Sequence, residues 1–346
     1  MRIIIIGGVA GGAGVAARLR RLSEDIEIIM FERGRDISFA NCGIPYYIGD
    51  VIKDRNVMNV ITEDSFHTLF KIDVRTSSEV IKIDRENKQV VVKHSGKYYN
   101  ESYDKLILSP GAEPINPFDK AVNTFTVRNL EDMDTIKDYI TQKKPKNAVV
   151  IGGGFIGIEM AENLHHLGMQ VSVVELAGHI MNHLDYEMAS FIHRELRNKN
   201  IGIYLDSKVQ SFLHDPVKVS SNPNACIIKV KLDNGQELDA DLVVISIGVK
   251  PEIKLAQEAG LKLGEYGGIV VNEYLETNDS DIYALGDATE IKNIITERQS
   301  LVPLANVVNK QARFVADNIL GYKRTYKGTP ITAIVKVFDY RKIDLN

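Results

Sequence analysis

The sequence predicts an α/β fold in which a strand–turn–helix–strand unit occurs twice. Two observations carry this prediction: an apolar run followed by a glycine-rich turn at residues 3–14, and the same arrangement at residues 148–157. A third is the segment TNDSDIYALGDA (277–288), in which a short apolar strand ends at a glycine and an aspartate. The chain has 346 residues, which at roughly 150 residues per domain corresponds to about two domains.

The first unit begins with the apolar run 3–6 and the turn GGVAGGAG (7–14), after which a helical pattern and a second apolar run end at Glu32. Such a turn brings backbone N–H groups and a helix N-terminus to a pyrophosphate. Glu32 lies 20 residues beyond Gly12, where an acidic side chain meets a ribose hydroxyl. Because Val9 replaces the second glycine of GxGxxG, an ordinary glycine-rich turn is an alternative for this unit alone.

The second unit has no such deviation. The strand 148–151 leads into GGGFIG (152–157), a helix that ends at Gly168, and a second strand that ends at Glu175. Two complete units predict two different dinucleotides. A carboxylate at Glu175 accepts hydrogen bonds from a free ribose 2′-hydroxyl and repels a 2′-phosphate, so the sequence favours NADH over NADPH.

The segment 277–288 delivers Gly286 and Asp287 at the carboxyl end of a strand, Ile282 to Leu285. A carboxylate beside a glycine that allows close backbone approach suits a polyol such as a ribityl chain. A strand followed by an ordinary Gly-Asp turn is the alternative, and the two dinucleotide units weigh against it.

Composition excludes several other classes of function. The formal net charge is −4, which is not the footprint of a nucleic-acid-binding protein, and no run approaches the ~20 apolar residues of a membrane span. The two cysteines, Cys42 and Cys226, form no disulfide framework, so we expect a cytoplasmic protein. The pair His165-His166 and the lone His179 and His183 show no spacing that predicts a metal site.

These motifs resemble those of the flavoprotein pyridine-nucleotide disulfide oxidoreductases. The two glycine units, LILSPGAEP (106–114), ISIGVKP (245–251) and segment 277–288 carry the resemblance, which covers nearly the whole chain. The stretch SFANCGIPYYIG (38–49) is most similar to the single-cysteine coenzyme A-disulfide reductases and the related persulfide reductases. Dithiol relatives carry a CxxxxC pair here, whereas position 47 is Tyr.

The resemblance implies two Rossmann-like dinucleotide-binding domains. A discontinuous FAD domain would comprise residues 1–113 and 246–320, with the NAD(P)H domain, 114–245, inserted between its parts. Residues 321–346 would begin a C-terminal dimerisation domain that is truncated in this sequence. We therefore expect the family's homodimer and its catalytic efficiency to be in doubt for this chain.

The resemblance also assigns residues to cofactors. It implies that eight residues contact FAD. Gly7, Gly12 and Glu32 belong to the first unit, and Val80 would lie near the adenine. Gly286 and Asp287 form the Gly-Asp pair, and Pro303 and Ala305 would lie near the flavin ring. The resemblance implies that NADH, with NADPH as an alternative, contacts Gly152, Gly154, Gly157 and Glu175. Glu159 is expected near the nicotinamide.

Cys42 is the predicted redox-active residue. If a helix begins near Gly43, with Pro45 in its first turn, Cys42 lies at the positive end of that helix and its pKa falls. A free cysteine is often buried and inert, but the cofactor units and the resemblance favour a redox role. The implied cycle forms a mixed disulfide between Cys42 and coenzyme A, since thiol–disulfide exchange needs one protein thiolate and an accessible sulfur.

Four further residues are predicted to bind the substrate, a coenzyme A disulfide or a related disulfide or persulfide. Arg18 and Arg21 share a face of the first helix, along which the family places coenzyme A, and would meet its phosphates. A solvated helix surface is the alternative. Ser38 and Asn41 would orient the thiol. Two other functions compete: an NADH oxidase or peroxidase that uses a cysteine sulfenic acid, and a truncated flavin-binding protein with impaired catalysis.

Overall fold

The computed structural model describes residues 1–118, 121–215, 226–338 and 340–345. Its α-helices within those ranges, α1 to α8 in chain order, are Ala10–Leu22, Ile44–Ile48, Glu63–Phe70, Leu130–Lys143, Phe155–His166, Tyr186–Asn198, Lys254–Glu258 and Ala305–Ile319. Two 3₁₀ turns span Asn41–Gly43 and Arg55–Met58.

The strands, β1 to β23 in chain order, are Arg2–Ile6, Glu27–Phe31, Asp73–Arg75, Ser78–Asp84, Gln89–His94, Lys97–Ser102, Lys105–Leu108, Ala112–Pro114, Thr124–Phe125, Asn147–Ile151, Gln170–Val174, Gly202–Tyr204, Val209–His214, Ile227–Leu232, Glu237–Asp239, Leu242–Ile245, Val249–Pro251, Ile269–Val270, Ile282–Ala284, Thr289–Lys292, Gln299–Leu301, Thr332–Val337 and Tyr340–Leu345. No helix in the described ranges is long and apolar enough to cross a membrane.

The first unit forms a five-stranded parallel sheet in the order β19-β7-β1-β2-β3. Its central strand is apolar on both faces, with Ile3, Ile4 and Ile5 fully buried, because the sheet is covered on both sides. Helices α1 and α8 share one core with one face. The antiparallel sheet β4-β5-β6 contributes to the core on the other face.

The second unit repeats this architecture in the order β12-β11-β10-β16-β9, again parallel. Helices α4, α5 and α6 share a core with one face. The antiparallel sheet β13-β14-β15 contributes to the core on the other. The predicted α/β fold with two repeated units is confirmed.

The two parallel sheets are connected through a short antiparallel pair, β8 and β17. The N–H of Ile115 donates to the carbonyl of Gly248 at 3.0 Å, immediately beyond that pair. The chain therefore crosses from the first sheet to the second, and later back again, at the same place. The domain boundaries predicted from the sequence stay a prediction.

Candidate active site

The two glycine turns have the same backbone geometry. Gly7 and Gly152, the first glycine of each turn, have φ values of +99° and +105°, which L side chains rarely adopt. A β-carbon on Gly12 would lie 1.8 Å from the carbonyl oxygen of Gly7, and one on Gly157 would lie 2.0 Å from that of Gly152. Only glycine lets each helix start pack this closely on its turn.

The acidic residue of each unit is fixed in the same way. Glu32 accepts hydrogen bonds from the amides of Gly8 and Gly34, both at 2.8 Å. Glu175 accepts from the amide of Gly153 at 2.6 Å and from the amide two residues beyond itself at 2.8 Å. Each carboxylate is thus held beside its own turn, where a ribose would lie.

The first turn opens into a cavity of about 1440 Å³. Most of the residues that the sequence assigns to FAD or the thiol line this cavity, namely Gly7, Glu32, Ser38, Asn41, Cys42, Val80, Gly286, Asp287, Pro303 and Ala305. Gly12 does not line it and acts through the turn instead. The residues that the sequence assigns to NADH do not line this cavity and lie at the second glycine turn, namely Gly152, Gly154, Gly157 and Glu175. The structure thus brings the FAD and thiol residues together in one cavity and places the NADH residues at another turn.

Asp287 shows that this cavity fits a polyol-bearing cofactor. Gly286, before it, has a φ of +84° and donates its N–H to the side-chain oxygen of Gln311 at 2.9 Å. Burial raises the pKa of Asp287 to about 6, and no hydrogen bond or ion pair to its carboxylate offsets this in the described ranges. A hydroxyl donor from a ribityl chain would supply the missing partner.

The loop that carries Cys42 is tied to the first turn. Ser38 has a left-handed backbone, with φ of 46°, and its N–H donates to the carbonyl of Gly8 at 2.9 Å. Its own carbonyl accepts from Val60, and Ala40 donates to the carbonyl of Met58. These bonds hold the thiol in the wall of the cavity rather than in the core.

The predicted helix after Cys42 is present, but the predicted direction of the thiol's pKa is wrong. Cys42 lies in the 3₁₀ turn just before α2, whose first turn holds Pro45. Partial burial and the carboxylate of Glu159 raise the pKa of Cys42, although its side chain reaches solvent through the cavity. A helix of five residues has too small a dipole to outweigh these two effects.

The two predicted phosphate-binding arginines differ in their surroundings. Arg18 pairs with Asp317 through both Nε and Nη2 at 2.9 Å. Asp317 also pairs with Arg324 at 2.6 Å, and its side chain is only 4% exposed. Arg21 is exposed. Arg18 therefore has a structural partner, and the phosphate role of both residues stays a prediction.

Sequence reasoning missed a group of four charged residues in the cavity wall. Glu113 accepts from Arg33 at 3.0 Å and from Arg128 at 3.1 Å. A hydrogen bond with Glu252, together with the two arginines, lowers the pKa of Glu113 to about 2. Burial and that neighbouring carboxylate raise the pKa of Glu252. No local motif marks this group, because its members come from four separate segments.

The matched family model, pyridine nucleotide-disulphide oxidoreductase, spans residues 1–312. The chain belongs to this family. The predicted enzyme class, an FAD-dependent NAD(P)H:disulfide oxidoreductase, and the predicted cofactors, FAD and a nicotinamide dinucleotide, are confirmed. The resemblance stated from the motifs is confirmed with them.

Among curated proteins, the chain is 37% identical over 342 residues to a coenzyme A disulfide reductase of Staphylococcus epidermidis, covering 98% of this chain and 75% of the relative. Among solved structures, it is similar to reduced Bacillus anthracis CoADR-RHD, with a TM-score of 0.94, 46% identity, and coverage of 100% of this chain and 62% of that chain. A NAD-dependent persulfide reductase from A. fulgidus has a TM-score of 0.92 and 35% identity, with coverage of 99% and 63%. The chain thus spans about three-fifths to three-quarters of the length of these relatives.

Proposed function

We propose that this chain acts as an NADH-dependent flavoprotein that reduces the disulfide of coenzyme A through Cys42. The observation that carries the proposal is that Cys42 reaches solvent in the wall of the cavity that also holds Glu32 and Asp287. A substrate sulfur can therefore meet the thiol where the cofactor binds. The similarity to proteins named coenzyme A disulfide reductase supports the choice of substrate.

The cofactor contacts follow from the two turns. Glu32 and Asp287 would hold the ribose and the ribityl chain of FAD, and Val80 and Pro303 would flank its rings. Bound FAD supplies the means to pass two electrons from a nicotinamide to a sulfur. Glu175 would hold the free 2′-hydroxyl of NADH, since its carboxylate repels a 2′-phosphate.

Cys42 performs the exchange chemistry. Its thiolate attacks one sulfur of the disulfide, so that one S–S bond forms as another breaks and one coenzyme A thiolate leaves and takes a proton from water. The two electrons that NADH supplies then break the mixed disulfide. This releases the second coenzyme A as a thiol and leaves Cys42 as a thiolate. One protein thiol suffices because the substrate brings the second sulfur.

Substrate contacts are proposed for four residues. Arg21, exposed on α1, is the better placed phosphate partner, since Arg18 already pairs with Asp317. Ser38 and Asn41 lie in the cavity wall with Cys42 and would orient the sulfur by hydrogen bonding.

The proposal is tested with Cys42→Ser and Cys226→Ser as a matched pair. In the flavin-loaded Cys42→Ser protein, NADH should still bleach the flavin absorbance, whereas release of thiol from coenzyme A disulfide should fall at least 1000-fold, as expected on loss of a catalytic nucleophile. Cys226→Ser should retain both activities. Full thiol release by Cys42→Ser would contradict the proposal, as would rapid turnover of a persulfide or peroxide with no coenzyme A disulfide reduction by the unaltered protein.

We also propose that the chain associates as a homodimer. Near the Cys42 loop, Val57, Val60 and Leu69 are 60–74% exposed, and a partner subunit that packed on them would bury this apolar surface. Light scattering on a size-exclusion column measures the mass directly, and a monomer at micromolar concentration would contradict the proposal. The proposed domains remain 1–113 with 246–320 for FAD and 114–245 for NADH, and the cytoplasmic location stays a prediction.

A further inference from the structure

Helix α5 of the second unit packs against α2, the short helix that follows Cys42. Asn163 of α5 is buried against Gly49 at the end of α2, where a β-carbon would lie 2.4 Å from the Asn163 side-chain oxygen. Apolar residues of both helices, among them Ile44 and Ile158, share one core. The two helices are therefore fixed relative to each other.

Glu159 lies one helical turn before Asn163 and shares its face of α5. The side-chain amide of Asn163 donates to the backbone carbonyl of Glu159 at 2.8 Å, which anchors this turn. Glu159 therefore lies on the side of α5 that packs against α2, the helix that follows Cys42 and contains Tyr46. Burial first, and the charge of Glu159 second, raise the pKa of the Cys42 thiol, and the same two effects help raise the pKa of Tyr46 to about 12.

The charged groups around this pair leave Glu159 without a cation among the described residues. Its neighbour on α5, Glu162, accepts from the amide of Phe338 at 2.8 Å and pairs with Lys336 of β22 at 3.5 Å. From α4, Lys137 pairs instead with Asp50 at 2.7 Å. Burial, and secondly the charge of Glu162, raise the pKa of Glu159 to about 7.

We propose that Glu159 and Cys42 form a coupled acid pair, in which Glu159 takes up a proton when Cys42 becomes a thiolate. The proposal rests on the proposed role of Cys42 and adds a proton acceptor to it. A hydride from NADH carries two electrons and one proton: the two electrons break the S–S bond of the mixed disulfide, and the proton covers the one that the leaving coenzyme A thiolate takes up. Glu159 takes one further proton from water, so that the thiolate of Cys42 does not face an ionised carboxylate, and returns it when Cys42 next forms a disulfide. Glu159 acts through Cys42 and is a positioning residue.

The pair predicts a specific pH dependence of thiol reactivity. Below pH 7 Glu159 is protonated and does not oppose the Cys42 thiolate, whereas above pH 7 its charge does. Replacing it with glutamine removes this opposition at high pH and changes little at low pH. The ratio of Cys42 alkylation rates, Glu159→Gln over the unaltered residue, should therefore rise from about 1 at pH 6 to roughly three- to tenfold at pH 8, as expected for loss of one nearby like charge.

The experiment measures iodoacetamide alkylation by intact mass on flavin-loaded protein between pH 5.5 and 9. The protein is first reduced with dithiothreitol and desalted, and Cys226→Ser is the background so that one thiol reports. Glu162→Gln is the matched control, because this carboxylate lies one turn away and is paired elsewhere. Its rate should match the parent at pH 8, and Glu159→Asp should restore the slow rate there.

A rate ratio for Glu159→Gln that stays near 1 at every pH would overturn the proposal. So would an equal acceleration by Glu162→Gln, because it would mean that any charge on α5 acts alike. Because alkylation reads Cys42 without any disulfide substrate, its outcome is separate from that of the proposed function. Failure of coenzyme A disulfide as substrate would leave the alkylation result for Glu159→Gln unchanged. Failure of the alkylation result would likewise leave the thiol-release result for Cys42→Ser unchanged.

Discussion

Gly157→Ala tests the tight packing of α5 on the second glycine turn. The new β-carbon would lie 2.0 Å from the carbonyl oxygen of Gly152 and 2.7 Å from the hydroxyl oxygen of Ser246. Normal contact between carbon and oxygen needs more than 3 Å, so the helix start must move by about 1 Å. Both obstructing atoms are held, since Ser246 itself donates to the carbonyl oxygens of Ile151 and Gly152.

We expect this change to destabilise the second unit by about 3 kcal/mol, at the upper end of the overpacking range. That free energy corresponds to a melting temperature lower by roughly 6–12 °C for a domain of this size. NADH affinity should fall at least tenfold because the turn that meets the pyrophosphate is displaced. Flavin should stay bound, since the first turn at Gly7 is untouched.

Gly154→Ala is the matched control in the same turn. A β-carbon there meets no heavy atom within 4 Å, and Gly154 has an extended backbone, so the melting temperature should stay within 1–2 °C of the parent, as for an unobstructed surface change. The assay combines differential scanning fluorimetry, flavin absorbance and NADH titration. If Gly157→Ala melted and bound NADH like the parent, the steric reasoning would be refuted.

Three further predictions concern charged groups. Burial holds the pKa of Asp287 at about 6, above its unfolded value. Below pH ~4 the carboxyl is protonated in both states and does not lower the free energy of unfolding, whereas this free energy falls as the pH rises through 6 and the buried carboxyl ionises. Asp287→Asn should therefore raise the free energy of unfolding of flavin-free protein at pH 7.5 by about 2 kcal/mol while weakening flavin binding; urea titrations that show no gain at pH 7.5 would contradict this. Arg18→Ala, which removes one of two partners of buried Asp317, should cost about 1–2 kcal/mol of stability. Arg21→Ala should leave stability unchanged and raise KM for coenzyme A disulfide several-fold, and equal KM values for parent and variant would count against the phosphate role.

The repeated units were predictable from sequence because their signals are local. A glycine in a turn, an apolar run before it and an acid about 20 residues later all lie within one stretch of chain, and backbone sterics alone demand glycine at positions such as Gly12 and Gly157. Gly168, predicted to end the helix, has the expected positive φ of +85°.

The features of the site that the sequence did not predict depend on residues far apart in sequence. Arg18 and Asp317 are 299 positions apart, and nothing near either residue announces the other. The predicted direction of the Cys42 pKa was wrong for the same reason, because the helix after Cys42 is local whereas the burial of the thiol and the carboxylate of Glu159 both come from tertiary packing. Local patterns therefore predicted the cofactor turns, and contacts between distant segments raise the pKa of the thiol.

The hydrogen bond between Ile115 and Gly248 has a consequence for how such a chain can change. Because the segment between them starts and ends at adjoining points, it can be exchanged as a cassette without stretching the flanking strands β8 and β17. A graft of a related segment would leave Cys42 and its cavity loop in the recipient but would replace Glu159 and the rest of α5, which packs against α2. The surroundings of the thiol would therefore change together with the exchanged segment.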